Sequence, residues 1–427
     1  MKNTDYYKNK KVVVVGLARS GLACANLLHA LGADVSVTDH QDNESTRIQK
    51  RKLASEAIKV ELGRHSPEFV NKKDLLIISP GVPSDALPVL WAKQRNIPVL
   101  SEIELAWSLC PGTVIAITGS NGKTTVTTLI AGILQSSARR AFICGNIGNP
   151  FSQEVSRIAE DDYVSLEASS FQLENIAAFK PKISVILNFS RNHLDRYRSM
   201  DDYLKAKKRI FENQDNSDYV VLNQDDPVLR DLAKEVKARP VFFSQTNTLN
   251  PNQAAVMAVG SILGIEQDLI LRVLKDFKGL EHRLEQVAEI NQVRFINDSK
   301  ATTAESTLWA LRSVQAPIIL IAGGKDKGVD YGVILDEARQ KVKKVVLIGE
   351  AKEKIACALK CALSIEEAGS LEEAVHKAYR KASPGDSILL SPMCSSFDMF
   401  SSYEERGNVF KKAVYDLARD TVQERSK

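Results

Sequence analysis

The sequence predicts an α/β protein of three domains, and three observations carry that prediction. Short apolar runs alternate with helical patterns almost throughout, as in stacked βαβ units with parallel sheets. At 427 residues the chain exceeds what one hydrophobic core usually serves. Breaks at Pro111–Gly112 and Gly279–Arg283 separate three blocks, read as domains over residues 1–100, 101–280 and 281–427.

The first block opens with a strand over Lys11–Val15, a glycine turn, and an amphipathic helix near Ser20–Leu31. A second strand ends at Asp39, and further strands are expected at Asp74–Ser79 and Ile97–Leu100. This succession predicts a Rossmann-like N-terminal domain. In the second block, the apolar run Thr113–Thr118 leads through a glycine-rich turn into a helix beginning near Lys123. Strands at Tyr163–Leu166, Ile183–Asn188 and Tyr219–Asn223 follow, and two helices fill Asn252–Phe277. That pattern predicts a central P-loop ATPase-like domain on a parallel sheet. The third block carries strands Val293–Asn297, Ile318–Ala322, Val345–Ile348 and Ser387–Leu390 with helices between, a second Rossmann-like α/β domain. Gly279-Leu280-Glu281-His282-Arg283 is the candidate hinge before it. No internal repeat or low-complexity tract interrupts the chain.

Composition narrows the function. With 44% hydrophobic and 26% charged residues this is an ordinary globular chain. Its 57 basic and 53 acidic residues leave a net +4, too small and too dispersed for a nucleic-acid partner, though anionic small substrates fit. The polar start MKNTDYYKNKK and the brief apolar run Val12–Val15 suit neither a signal nor a membrane span. Cys24, Cys110, Cys144, Cys357, Cys361 and Cys394 form no CxxC pair and read as reduced thiols. A cytoplasmic protein is expected.

The chemistry concentrates in Thr118-Gly119-Ser120-Asn121-Gly122-Lys123-Thr124-Thr125, between strand and helix. Glycines let backbone N–H groups face a phosphate, and a helix N-terminus adds its positive dipole end. Lys123 would neutralise the β- and γ-phosphates, and the Thr124 hydroxyl would ligate Mg²⁺. Ile117 stands where a strict Walker A loop has glycine, so this is a shortened variant.

A metal constellation follows: Glu167 after the Asp162–Leu166 run, Asn188 at the end of a later strand, and His193 just beyond. The carboxyl ends of parallel strands are where an open α/β sheet places its site. Taken alone, His193 is an ordinary loop histidine; beside a phosphate loop it becomes a ligand candidate. In Tyr203–Phe211, the neighbours of Lys207 three and four residues away are Tyr203, Leu204, Ile210 and Phe211, while Lys205, Lys208 and Arg209 gather on the opposite face. An inward ammonium is costly, so its pKa should fall, and a neutral amine can take up CO₂ as a carbamate, an oxygen ligand suited to Mg²⁺. The same pattern also accommodates a lysine that snorkels out of the face, and the residues alone leave both readings open.

In the third block, Asn297–Thr302, Gly323–Gly328 and Ser391–Asp398 each follow a strand. Three polar loops at the ends of three strands of one sheet suggest a composite site for an amino-acid carboxylate. The N-terminal turn Gly16–Gly21, with Asp39 beyond, has Ala18 where GxGxxG has glycine. That makes NAD a weak prospect and leaves a diphosphate or nucleotide sugar.

Taken together, these segments resemble the Mur ligase family, across all three blocks. The resemblance rests on Gly119–Thr125, Glu167–Glu174, Asn188 with His193–Tyr197, Tyr203–Asn213, Gly279–Arg283, Asn297–Thr302, Gly323–Gly328, Ser391–Phe400 and Glu405–Asn408, with Ser79–Pro83 and Gly145–Gly148 besides. It implies an ATP-dependent ligase of peptidoglycan precursor synthesis that joins D-glutamate to UDP-N-acetylmuramoyl-L-alanine through an acyl-phosphate. It implies that Gly119, Ser120, Asn121, Gly122, Lys123, Thr124, Thr125, Asn252, Arg283 and Asp298 bind ATP. Thr124, Glu167, His193 and a carbamylated Lys207 would hold two Mg²⁺ ions, with Lys123, His193 and Lys207 catalytic. Ser20, Asp39, Ser79, Gly81, Asn146, Ser169 and Gln172 would meet the sugar nucleotide, and Lys300, Thr302, Lys327, Ser396 and Phe397 the D-glutamate. The enzyme is expected to act as a monomer, without nucleic-acid or membrane partners. A sister ligase for another amino acid, a folylpolyglutamate synthase, an NAD-dependent dehydrogenase and a non-catalytic nucleotide-binding regulator are the alternatives.

Overall fold

The computed structural model describes residues 2–190, 196–277, 279–326 and 328–425, with side chains described through 421. His193 and Lys327 lie outside the described residues. The chain divides into two compact units, residues 1–277 and 278–427.

The first unit contains two parallel sheets. One has the order β3-β2-β1-β4-β5, from β1 (Lys11–Val15), β2 (Asp34–Asp39), β3 (Lys59–Leu62), β4 (Leu75–Ile78) and β5 (Val99–Ser101). Val12 to Val15 are fully buried because helices cover both faces, which explains the unbroken valine run. The order reverses at β1, so the crevice beyond the ends of β1 and β4 is a topological switch point. The other sheet runs β11-β10-β9-β6-β8-β7, from β6 (Thr113–Thr118), β7 (Ala141–Gly145), β8 (Tyr163–Glu167), β9 (Ile183–Ile186), β10 (Tyr219–Asn223) and β11 (Arg239–Phe243). One apolar cluster containing Val12, Leu27, Ile103, Ala116, Phe151 and Leu166 joins the two sheets.

Glu104, in the helix Glu102–Leu109, secures that junction. Its buried carboxylate accepts the amides of Ala177, Ala178 and Phe179 at 2.8, 3.0 and 2.9 Å. A carboxylate holding three backbone donors is a strong tie between segments far apart in sequence.

The second unit is built on β12-β13-β17-β14-β15-β16, from β12 (Glu285–Ile290), β13 (Val293–Asn297), β14 (Ile318–Gly323), β15 (Val342–Ile348), β16 (Ile365–Glu367) and β17 (Ser387–Leu390). Here the sheet departs from the all-parallel expectation, since β12 pairs antiparallel with β13. Asn291 and Gln292 both take positive φ, 52° and 62°, as a two-residue hairpin turn requires.

Candidate active site

β6 delivers the phosphate loop, and the helix Lys123–Ser136 leaves from it. Gly122 adopts φ +82°, and a Cβ there would stand 2.3 Å from Asn252 Oδ1, so Asn252 lies directly against the loop. No described side chain caps the helix start, whose first amides can therefore serve an anion. The end of β9 pins the loop from the other side. The Asn121 amide donates to Asn188 Oδ1 at 2.9 Å, and Asn188 Nδ2 donates back to the Asn121 carbonyl at 3.2 Å. The Ser120 hydroxyl donates to the Ser190 carbonyl at 3.1 Å. Lys123 folds back over this loop, with Nζ 2.8 Å from the Gly119 carbonyl and 3.1 Å from that of Ser120.

Glu167 ends β8, is 3% exposed, and faces the loop. Its Oε2 accepts from Thr124 Oγ1 and its Oε1 from Asn146 Nδ2, both at 2.8 Å. Both partners are neutral donors. Carboxylate and hydroxyl oxygens are the hard donors that suit Mg²⁺. Among the described residues, which do not include His193, no three His, Cys, Asp or Glu side chains gather.

Lys207 supplies the most telling geometry. The helix Met200–Lys208, capped by Ser199, turns it inward until it is 2% exposed. Its Nζ donates to the Gly119 carbonyl at 2.9 Å, the same oxygen that Lys123 uses, and lies 3.4 Å from Thr118 Oγ1 and 4.6 Å from the Tyr203 ring centroid. Burial first, and the Lys123 charge second, push its pKa well below 10.5. The opposite face differs from expectation in one respect. Lys205 is exposed and Lys208 pairs with Glu235, but Arg209 is half-buried and donates to the carbonyls of Glu174 and Ile176. The chain tightens into a 3₁₀ turn at Arg209–Phe211, which swings that side chain towards the protein.

In the first sheet, Asp39 and Ser79 serve the glycine turn itself. Asp39 accepts the Leu17 and Gln41 amides at 2.7 and 2.8 Å, and Ser79 donates to the Gly16 carbonyl at 3.0 Å. Gly16 needs its φ of +91°, and a Cβ on Gly21 would stand 1.8 Å from the Gly16 carbonyl. Ser20 is half-buried near the start of the helix Arg19–Ala30, and Gly81 faces open space. Ser169 and Gln172 cap the helix Ser170–Leu173 reciprocally, which holds both beside Glu167 in sequence and space.

In the second unit, backbone hydrogen bonds join the three polar loops: Met393 to Ala301 at 3.0 Å, Lys325 to Ser395 at 2.9 Å and Gly323 to Pro392 at 2.9 Å. Asp298 is buried, accepting from Ser391 Oγ at 2.9 Å and the Leu284 amide at 3.3 Å. Burial pushes its pKa up to about 7, against the two hydrogen bonds and the Arg283 charge. Lys300 Nζ lies 5.6 Å from the Tyr403 ring centroid, and the Thr302 amide donates to the Lys300 carbonyl. The Ser396 carbonyl accepts the Met399 and Phe400 amides, while Phe397 is 68% exposed.

Sequence reasoning included Arg406 and Arg196 in segments of the resemblance but gave neither a role. Arg406 is fully buried and binds Ser299 and the Cys394 carbonyl through three hydrogen bonds. Arg196 bridges the first sheet's Pro80–Val82 loop to Glu174. The only local hint was an arginine beside a candidate loop histidine.

Comparison with known proteins places this geometry. Residues 10–101 match the family model described as the Mur ligase MurD-like N-terminal domain, 117–263 the Mur ligase middle domain, and 282–394 the Mur ligase glutamate ligase domain. A UDP-N-acetylmuramoylalanine–D-glutamate ligase of Thermoanaerobacter sp. (strain X514) is 40% identical, the match covering 96% of this chain and 99% of that protein. One of Geotalea uraniireducens is 42% identical, covering 96% and 98%. Among solved structures, a UDP-N-acetylmuramate–alanine ligase of Thermotoga maritima aligns with TM-score 0.60 at 18% identity over 95% of this chain and 99% of that one. A folylpolyglutamate synthase/dihydrofolate synthase of Yersinia pestis, complexed with AMPPNP and manganese, aligns with TM-score 0.54 at 14% identity over 73% and 92%. These two structural likenesses speak for the fold.

Proposed function

For a chain that belongs to the Mur ligase family, we propose the ATP-dependent ligation of D-glutamate to UDP-N-acetylmuramoyl-L-alanine in peptidoglycan precursor synthesis. The observation that carries the reading is the convergence of Lys123 and Lys207 on one carbonyl of an uncapped phosphate loop, with Thr124 on Glu167 beside it. The near-complete coverage of D-glutamate ligases at about 40% identity supports the choice of substrate.

In this reading residues 1–100 bind the sugar nucleotide, 101–280 bind ATP, and 281–427 bring in the amino acid. Ser20, Asp39, Ser79, Gly81, Asn146, Ser169 and Gln172 meet the sugar nucleotide. Gly119 to Thr125, Asn252, Arg283 and Asp298 meet ATP. Lys300, Thr302, Lys327, Ser396 and Phe397 receive D-glutamate.

The substrate carboxylate attacks the γ-phosphorus, the bond to ADP breaks, and the carbonyl becomes an acyl-phosphate. The D-glutamate amine then adds to that carbonyl, a proton is lost, and phosphate leaves with an amide formed. Lys123 balances phosphate charge as it moves, and exclusion of water protects the acyl-phosphate from hydrolysis. Two Mg²⁺ ions, held by Thr124, Glu167, His193 and carbamylated Lys207, would supply further positive charge at the phosphates. A buried amine with a lowered pKa is the form that takes up CO₂, and the resulting negative charge would be offset by the metal ions. The reading takes the enzyme as a cytoplasmic monomer; no helix among the described residues is long and apolar enough to cross a membrane.

Incubation with UDP-N-acetylmuramoyl-L-alanine, Mg²⁺, ATP and single amino acids tests the reaction. D-glutamate should yield ADP, phosphate and the amide, and L-glutamate and D-alanine none. Ligation of another amino acid would overturn the assignment of D-glutamate and leave a sister ligase. For the carbamate, Lys207→Ala should be nearly inactive and partly restored by a short carboxylic acid, with Lys208→Ala close to wild type. An unmodified Lys207 amine in active, Mg²⁺-loaded enzyme by native mass measurement would remove it.

A further inference from the structure

We propose that Arg196 is a positioning residue that holds two parts of the sugar-nucleotide site in register, the Ser79–Pro83 loop of the first sheet and the Ser169–Glu174 segment of the second; the inference rests on the proposed function. Arg196 Nη1 donates to the Pro80 carbonyl at 3.1 Å, and Nη2 donates to the Val82 carbonyl at 3.3 Å. The two gripped carbonyls flank Gly81, whose open side meets nothing within 4 Å. Nη2 also lies 3.4 Å from Glu174 Oε2, and the guanidinium sits 3.9 Å above the Phe171 ring centroid. One side chain thus reaches the loop that carries Gly81 and the segment that carries Ser169 and Gln172.

The chemistry requires arginine. Two carbonyls, one carboxylate and one ring face are satisfied by a flat fork of donors, whereas an ammonium on a flexible stem cannot stack and span both carbonyls. The anchor on the central side is itself braced. Tyr197 donates to Glu174 Oε1 at 2.6 Å and stacks on Phe171 at 5.9 Å between centroids. Burial, and then the Glu174 hydrogen bond, raise the Tyr197 pKa, so its hydroxyl remains a donor. Tyr197 also packs against Tyr203 at 5.2 Å, and the Tyr203 hydroxyl lies 3.4 Å from Ser120 Oγ. The loop's other end is tied by Ser79 to the Gly16 turn. Without Arg196 each part keeps its own local hydrogen bonds, but the direct polar tie between loop and segment is lost.

Steady-state kinetics on wild type, Arg196→Met, Arg196→Lys and Phe171→Leu test this, varying each of the three substrates in turn. Loss of the clasp should raise KM for UDP-N-acetylmuramoyl-L-alanine by about 10-fold or more in Arg196→Met, as expected when a part-buried, hydrogen-bonded charge is deleted. Arg196→Lys should fall between it and wild type, Phe171→Leu should shift KM in the same direction, and KM for ATP should stay within about twofold. Equilibrium binding of the sugar nucleotide without ATP should weaken in parallel. If Arg196→Met fails to fold, Arg196→Lys and Phe171→Leu carry the test. An unchanged KM for the sugar nucleotide in the folded variants, or equal rises for all three substrates, would overturn the positioning role. A wild-type enzyme that ligates nothing to this sugar nucleotide would instead overturn the proposed function.

Discussion

Replacing Lys207 by methionine should stabilise the folded protein while removing activity. The wild-type ammonium is 2% exposed and has no described carboxylate at ion-pair distance; among the described residues the charge acting on it is that of Lys123, of the same sign. Exchanging an uncompensated buried charge for an apolar side chain of similar length is worth about 1–4 kcal/mol. Against this stands the loss of the hydrogen bond to Gly119, about 0.5–1.5 kcal/mol. That carbonyl is not orphaned, since Lys123 holds it at 2.8 Å. Methionine sulfur can replace part of the contact with the Tyr203 ring. The balance favours methionine, by about 1.5 kcal/mol at the midpoints of the two ranges, at neutral pH.

The pH dependence has a definite sign. Because the native pKa lies well below 10.5, the unfolded chain holds the extra proton between the native value and 10.5. Wild-type stability then rises with pH across that window, by up to about 1.36 kcal/mol per pH unit. The advantage of Lys207→Met should be largest below the native pKa and vanish as pH approaches 10.5. Urea unfolding in CO₂-free, chelator-containing buffer measures this. In a Trp309→Phe background, Trp91 and Trp107 restrict the fluorescence signal to residues 1–277. A Lys207→Met protein less stable than wild type, by an amount that does not change with pH, would refute the uncompensated buried amine.

Lys123→Ala should lower turnover about 10²-fold or more in the ligation assay, since no other side chain of the loop carries a positive charge. Near-normal activity would remove the loop from the mechanism. Glu104→Gln should destabilise residues 1–277 by about 2 kcal/mol, because a neutral amide replaces a buried carboxylate that holds three backbone amides, that of Phe179 buried; an unchanged thermal midpoint would contradict it. Asp298 keeps its proton up to about 7 in the native state but only to 3.8 when unfolded. Stability from this group is full below 3.8 and is lost as pH rises through about 7, so Asp298→Asn should flatten that decline in pH-dependent unfolding.

The interior strands could be read from the sequence because sheets covered on both faces need unbroken apolar runs. Five strands were not anticipated: Lys59–Leu62, Ala141–Gly145, Arg239–Phe243, Glu285–Ile290 and Ile365–Glu367. All five are sheet edges. An edge strand is half exposed and paired on one side, so residues such as Glu285, Gln286 and Glu289 leave no run to detect. The antiparallel hairpin escaped for a related reason, since its turn is Asn291-Gln292, without the glycine that signals such turns.

The turn Gly119–Lys123 between strand and helix was legible in the chain alone, because a strand, two glycines and a helix start within a dozen residues shape it locally. The sequence also placed Lys207 on the apolar face of its helix, since helical periodicity assigns the face locally, but left open whether the amine stays inside or snorkels out. What covers that face was settled in three dimensions. Lys207 meets Gly119 across 88 positions, Thr124 meets Glu167 across 43, and Arg196 meets Pro80 across 116. Such pairings follow from sheet order and from the packing of one sheet on another, and neither spacing nor composition encodes them. Local hydrogen bonding writes itself into consecutive residues; the desolvation of a lysine and the grip of an arginine on a distant loop exist only once the chain has closed around them.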